Sequence, residues 1–126
     1  MTSTPADLPM PAPGLKTDTV RVGDAVVCVL AGDLHTGTQA IGYQALNEAL
    51  QYGPAVLAVD LDAVELFTAD GLNLLLALQD TARDRGVPLV LVAPSAPVRR
   101  VLDVTGAAEA FTIRSTIAEA TAGYRP

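Results

Sequence analysis

A run of mixed polar and apolar residues and a nearly all-apolar run, separated by a tight polar turn, open the regular part of the chain. Residues 15–22 and 25–31 read as strands, and Gly23-Asp24 between them can form a hairpin turn. The second run is apolar at nearly every position, which is typical of a strand inside a sheet. We therefore predict a β-hairpin whose second strand is buried.

The spacing of apolar residues then changes to that of helices. In residues 38–52 they recur at intervals of three and four, and Gly53-Pro54 supplies a stop. A second helix is predicted over 69–85, ended by Gly86. A third follows Ser95, the predicted N-cap, has Pro97 in its first turn and ends at Gly106.

Short apolar runs separate these helices and predict further strands at 55–61, 88–93 and 110–113, with a last helix over 115–122. The alternation predicts one α/β domain with a mostly parallel four- to five-stranded sheet covered by about four helices. We expect this domain to span residues 15–123. Four of the nine prolines lie before Gly14, so residues 1–14 are predicted to be a flexible leader.

Composition narrows the range of partners and locations. The formal net charge is −6 and the chain has no Trp, three Tyr and two Phe, which disfavours direct binding to nucleic acid. The single Cys28 lies in an apolar run and is predicted to be a buried hydrophobe. No targeting segment or membrane-spanning run is recognisable, so we expect a cytoplasmic protein that does not contact the membrane.

The chemistry of an enzyme is largely missing. The chain has one His, one Cys and no glycine-rich phosphate loop, so no catalytic residue, metal site or cofactor is predicted. A receiver domain would need grouped carboxylates around Asp60 and a nearby Lys, but the only Lys is Lys16. Asp60 and Asp62 are predicted to face water, as are Arg99 and Arg100.

The most informative stretch is residues 59–75, where a buried strand leads through Asp60-Leu61 to Thr68-Ala69-Asp70-Gly71 and a helix. It resembles the STAS domain of bacterial anti-sigma factor antagonists, in which a similar strand leads to an Asp-Ser-Ser-Gly-Leu-like loop. Residues 32–35 (Gly-Asp-Leu-His) resemble the family's Gly-Glu-Leu-Asp turn, and 97–102 resemble its late helix. The resemblance extends over about 15–122.

This resemblance implies a function in regulated protein binding. Members of the family bind an anti-sigma factor with a serine-kinase-like fold, and phosphorylation of a loop Ser by that kinase releases them. The resemblance places the partner-binding and switch loop on seven residues: Asp33, His35, Thr68, Ala69, Asp70, Gly71 and Asn73. It also leads us to expect a monomer or a weak dimer.

The chain departs from the family pattern in the switch loop. Thr68 matches the family's loop Asp, and Ala69 and Asp70 match its two hydroxyl positions, of which the first is the usual phosphate acceptor. One hypothesis is that Asp70 partly mimics the phosphorylated state permanently. Another is that it stabilises the helix start, with Thr68 as N-cap. Phosphorylation of Thr68 is a third hypothesis, and His35 stands where the family turn has Asp.

Two other functions remain open from the sequence. The same fold can serve as a scaffold or small-ligand sensor in which Thr68 and Asp70 are structural. An undetected enzyme would have to depend on His35, since no other His is present.

Overall fold

The computed structural model describes residues 14–122 and begins with the predicted hairpin. Strand β1 (Leu15–Val22) pairs antiparallel with β2 (Ala25–Leu34), and Gly23 takes a positive φ of 62° in the turn. Strand β2 continues three residues beyond the predicted end at Ala31. Of the predicted leader, residues 1–13 lie outside the described part of the chain.

The rest of the domain alternates helices with parallel strands. The elements are α1 (Gln39–Gln51), β3 (Val56–Phe67), α2 (Ala69–Asp84), β4 (Leu89–Val92), α3 (Ala96–Thr105), a 3₁₀ turn (Ala107–Ala110), β5 (Thr112–Arg114) and α4 (Ile117–Ala122). The five strands lie in the order β1-β2-β3-β4-β5, and β2 to β5 are parallel. The predicted α/β class and mostly parallel sheet are confirmed.

The two faces of the sheet are covered differently. Alternate residues of β2 and β3, among them Leu30 and Leu57, join the main core together with Leu46 of α1, Leu75 of α2 and Leu102 of α3. The opposite face forms a smaller apolar cluster that includes Ala120 of α4. The three longer helices therefore cover one face, because successive right-handed crossovers that advance in one direction leave their helices on the same side.

Cys28 lies in the main core, as predicted. It is 0% exposed, and burial raises the pKa of its thiol to about 11. The uncharged thiol is thus the form that the folded chain holds at neutral pH, which suits a packing role rather than a nucleophilic one.

The prediction for the third strand was wrong at its C-terminal end. Residues 62–67, interpreted as a loop, continue β3 to Phe67 beside the end of β2, with shifts in register along the way. Val64 and Phe67 are buried in this extension although two exposed residues, Glu65 and Leu66, separate them. A strand that bends through register shifts loses strict alternation, so its sequence resembles a loop.

The bounds of the fourth and fifth predicted strands differ from the observed ones by one or two residues. The fourth covers Leu89–Val92 rather than 88–93, and the fifth covers Thr112–Arg114 rather than 110–113. Gly106 ends α3 with a φ of 74°, as its sequence position predicted. No helix within residues 14–122 is long and apolar enough to cross a membrane.

Candidate functional site

The seven residues of the predicted switch loop lie at the edge of the sheet where the parallel strands have their carboxyl ends. Strands β2 and β3 are parallel neighbours that end together, with Leu34 opposite Phe67. Each strand runs within a few residues into a helix, so the segment after β2 and the start of α2 lie side by side. We call the surface formed by residues 33–39 and 68–73 the edge surface.

The segment that follows β2 is folded upon itself by Thr38. The Thr38 hydroxyl donates to the carbonyl oxygen of Asp33 at 2.7 Å and accepts from the amide of His35 at 3.1 Å. Thr38 is 1% exposed, and its hydroxyl is therefore fully used inside the protein. This closed loop fixes the backbone between Asp33 and α1.

His35 takes part in the same loop through its ring. Its Nδ1 accepts a hydrogen bond from the Gly37 amide at 2.9 Å. The side chain is half-buried. The structure therefore shows His35 as a residue that shapes the loop.

Thr68 starts α2 and joins it to β2. Its hydroxyl accepts from the Asp70 amide at 3.3 Å and donates to the Leu34 carbonyl oxygen at 3.3 Å, while the Thr68 amide donates to the same carbonyl at 3.1 Å. The predicted N-cap is confirmed. Capping satisfies one of the amides that a helix start leaves without a partner.

Asp70 reaches across to the segment after β2. Its carboxylate Oδ2 accepts from the Thr36 hydroxyl at 2.5 Å, and its backbone carbonyl accepts from the Gln39 side-chain amide at 3.1 Å. Both the side chain and the main chain of Asp70 are thus tied to the neighbouring loop. Neither Thr36 nor Gln39 was among the residues that the sequence predicted for this site.

The remaining residues of the predicted loop have contrasting environments. Ala69 is the exposed first residue of α2, and Asn73 is exposed one turn later. Gly71 is buried, and a Cβ added there would lie 2.9 Å from ring carbons of Phe67. Asn73 and Gln39 border a shallow groove of about 350 Å³ between α1 and α2. A small residue is thus required at 71, whereas 69 and 73 are open to contact.

The charged residues that the sequence predicted to face water lie outside the edge surface. Within residues 14–122, no three His, Cys, Asp or Glu side chains are grouped so that they could hold a metal ion. Asp60 and Asp62 lie further back on β3, where Asp60 Oδ1 accepts from the Asp62 amide at 3.0 Å. Asp62 is exposed, as predicted, and so are Arg99 and Arg100 on α3. Asp60 is half-buried.

Comparison with known proteins defines the class to which this arrangement belongs. The profile of the STAS domain family matches residues 16–120, and the chain therefore belongs to that family. The resemblance found in the sequence is confirmed.

Two relatives of this chain are named as anti-sigma factor antagonists. The anti-sigma-F factor antagonist RsfB of Mycobacterium tuberculosis is 31% identical over 117 residues, which cover 92% of this chain and 95% of that protein. The crystal structure of an anti-sigma factor antagonist from Mycobacterium paratuberculosis superposes with a TM-score of 0.78, at 26% identity, over 91% of this chain and 98% of the other. The phosphorylated form of the Bacillus cell fate determinant SpoIIAA shares the fold, with a TM-score of 0.64 at 18% identity over 88% and 99% of the chains.

Proposed function

We propose that this chain is an anti-sigma factor antagonist that binds a kinase-fold anti-sigma factor through the edge surface and thereby controls the release of a sigma factor. RsfB, at 31% identity over nearly its whole length, is named for antagonism of an anti-sigma-F factor. The observation that carries the proposal is the polar cluster at the start of α2, where Thr36, Gln39 and Thr68 surround Asp70. The sequence resemblance supports matching this cluster to the family's switch loop.

We further propose that Asp70 is a permanent, partial substitute for a phosphate. Ala69, at the usual acceptor position, has no hydroxyl, and Asp70 adds a fixed charge of −1 in the next position. A phosphate would add about −1.5 to −2 together with three acceptor oxygens. Asp70 should therefore weaken the partner complex without abolishing it.

Phosphorylation of Thr68 stays a prediction. Its hydroxyl donates to the Leu34 carbonyl oxygen, and a phosphoryl group in place of that proton would remove the donated hydrogen bond. Transfer to Thr68 would consequently require its hydroxyl to leave both the Leu34 carbonyl and the Asp70 amide. An Ala69→Ser variant offers a hydroxyl at an exposed position and should accept phosphate more readily.

The proposal can be tested by capture from native lysate. Wild type, Asp70→Ser and Asp84→Ser would be tagged, and the bound proteins and any phosphate identified by mass spectrometry. Asp84 is an exposed carboxylate at the other end of α2 and serves as the matched control. We expect recovery of a kinase-fold anti-sigma factor that increases about threefold to tenfold with Asp70→Ser and not with Asp84→Ser.

The other outcomes separate the parts of the proposal. Equal recovery by all three forms would make Asp70 structural and leave antagonism intact. Recovery of no anti-sigma factor by any form would overturn the antagonist proposal in favour of a scaffold or small-ligand sensor. In that case native mass measurement should reveal a co-purifying small molecule if the sensor function holds.

A further inference from the structure

The contact between Thr36 and Asp70 joins two segments that are 34 residues apart in the sequence. We propose that Thr36 is a positioning residue of the edge surface: its hydroxyl holds the Asp70 carboxylate in one place, so that Asp70 acts through its position as well as through its charge. This inference rests on the proposed function for its effect on binding. The tie itself is a property of the free chain.

The carboxylate is free to make this contact because its own helix does not use it. An acidic side chain near a helix start often accepts from the amides of the first turn. Here the Asp70 amide already donates to the Thr68 hydroxyl. The carboxylate instead turns away from α2 and accepts from Thr36 across the edge surface.

No basic side chain within residues 14–122 forms an ion pair with Asp70. The one ion pair found within residues 14–122 joins Arg83 to Asp80, near the other end of α2. The Asp70 charge is therefore held by a hydroxyl and not neutralised by a base. A hydrogen bond to an ionised group is stronger than one between neutral groups, so a single hydroxyl can select one side-chain rotamer.

Thr36 is itself held by a rigid frame. Its neighbours His35 and Gly37 are joined through the His35 ring, and the Thr38 amide donates to the His35 carbonyl oxygen at 3.1 Å. Gln39 fixes the Asp70 main chain from the same side. Loss of the Thr36 hydroxyl should therefore release the carboxylate while leaving both backbones in place.

Loss of the Thr36 hydroxyl should increase the affinity of the chain for its partner. If the Asp70 charge weakens the complex, it does so most when the carboxylate is fixed at the surface where the partner docks. A released side chain can swing aside at little cost. Thr36→Val should therefore increase affinity by about threefold to fivefold, less than Asp70→Ser, and Thr36→Ser should match the wild type.

The first test requires no partner. Side-chain scalar couplings measured by NMR on the free chain should show one Asp70 rotamer in wild type and Thr36→Ser, and rotamer averaging in Thr36→Val. A single unchanged rotamer in Thr36→Val would overturn the proposed tie. Backbone chemical shifts of β2 and α2 should stay at their wild-type values in all three proteins, as a control for the fold.

The second test measures the energetic coupling between Thr36 and Asp70 in binding. The partner is the purified kinase-fold anti-sigma factor recovered by capture. Affinities of wild type, Thr36→Val, Asp70→Asn and the double variant form a double-mutant cycle, in which the Asp70→Asn change keeps the shape and removes the charge. Thr36→Val should increase affinity in the wild-type background and have no effect in the Asp70→Asn background, where the side chain is neutral. An equal effect in both backgrounds, or a decrease, would overturn the positioning role. If no anti-sigma factor is recovered, the proposed function fails, and the rotamer measurement still decides the tie.

Discussion

Helices α2 and α3 begin at the same edge of the sheet, one strand apart, but their first turns are built in different ways. Both follow a parallel strand and both have a hydroxyl residue as N-cap, Thr68 for α2 and Ser95 for α3. The Thr68 hydroxyl caps its own helix. The Ser95 hydroxyl makes no capping bond and donates instead to the Val64 carbonyl oxygen of β3 at 2.6 Å.

The third residue of each helix is buried, but the two residues differ in size. In α3 this residue is Val98, which is fully buried in the main core. In α2 it is Gly71, packed so closely against Phe67 and Leu34 that it has no room for a side chain. Between cap and core, α3 carries Pro97, whereas α2 carries Asp70. Both starts are thus packed and hydrogen-bonded, but only the start of α2 carries an acidic residue in its first turn.

The largest effect should come from filling the space at Gly71. In Gly71→Ala the new Cβ would meet ring carbons of Phe67 at 2.9 Å and Cβ of Leu34 at 3.1 Å. We expect a loss of about 1–3 kcal/mol in the free energy of unfolding, measured by denaturant titration, because overpacking forces neighbours to shift. Asn73→Ala, exposed on the same helix, should change stability by less than about 0.5 kcal/mol. A gain of about 1 kcal/mol, the full helix preference for Ala over Gly, would show that the start of α2 is not closely packed.

Removal of the two N-cap hydroxyls should lower stability by less than the change at Gly71, and by a different mechanism in each helix. Thr68→Ala and Ser95→Ala should each cost about 1 kcal/mol of stability, the first through a lost cap and the second through the Val64 carbonyl. Hydrogen exchange should separate the causes. The Asp70 amide should exchange faster in Thr68→Ala, while the first-turn amides of α3 should keep their rates in Ser95→Ala. Thr68→Ser should preserve the slow exchange of the Asp70 amide. If Ser95→Ala also exchanges faster in the first turn of α3, the two hydroxyls have the same capping role.

The smallest effect should come from the connection that leads into α3. Ala93 has a φ of 50°, a left-handed conformation that costs a residue with a Cβ about 1–2 kcal/mol. Ala93→Gly removes this strain but adds freedom to the unfolded chain, which offsets up to about 1 kcal/mol. We expect a net gain of about 0.5 kcal/mol by thermal unfolding. Ala77→Gly, within α2, should lose about 1 kcal/mol, and a loss in both variants would mean that Ala93 is not strained.

The sequence predicted the elements well where a single period governs a segment. Strand β1 has the predicted bounds, and the bounds of α1 and α2 differ from the prediction by one residue at most at each end. Local signals suffice there, because Gly and Pro mark the ends and the apolar spacing fixes the type of element. Local signals do not suffice in the second half of β3, because its register shifts depend on the neighbouring β2.

The site was predicted in part for a related reason. The start of α2 could be found from the order of Thr68, Asp70 and Gly71 along the chain. Thr36 and Gln39 could not, because their bonds to Asp70 cross 34 and 31 residues and depend on which loop side chain reaches α2. The parallel pairing of β2 and β3 indicates that these segments meet, but no local pattern selects the partner atoms.

Because β2, β3 and β4 are parallel and each is followed by a helix, α1, α2 and α3 all begin at the edge that carries Asp70. Peptide dipoles give each helix start about half a positive charge. Among the three first turns, only that of α2 contains an acidic residue. The protein thus carries an uneven electric field at this edge, with the positive helix starts beneath and the carboxylates of Asp33 and Asp70 above. An approaching molecule is turned by such a field before it makes contact, and the rate of that encounter should fall as salt screens it.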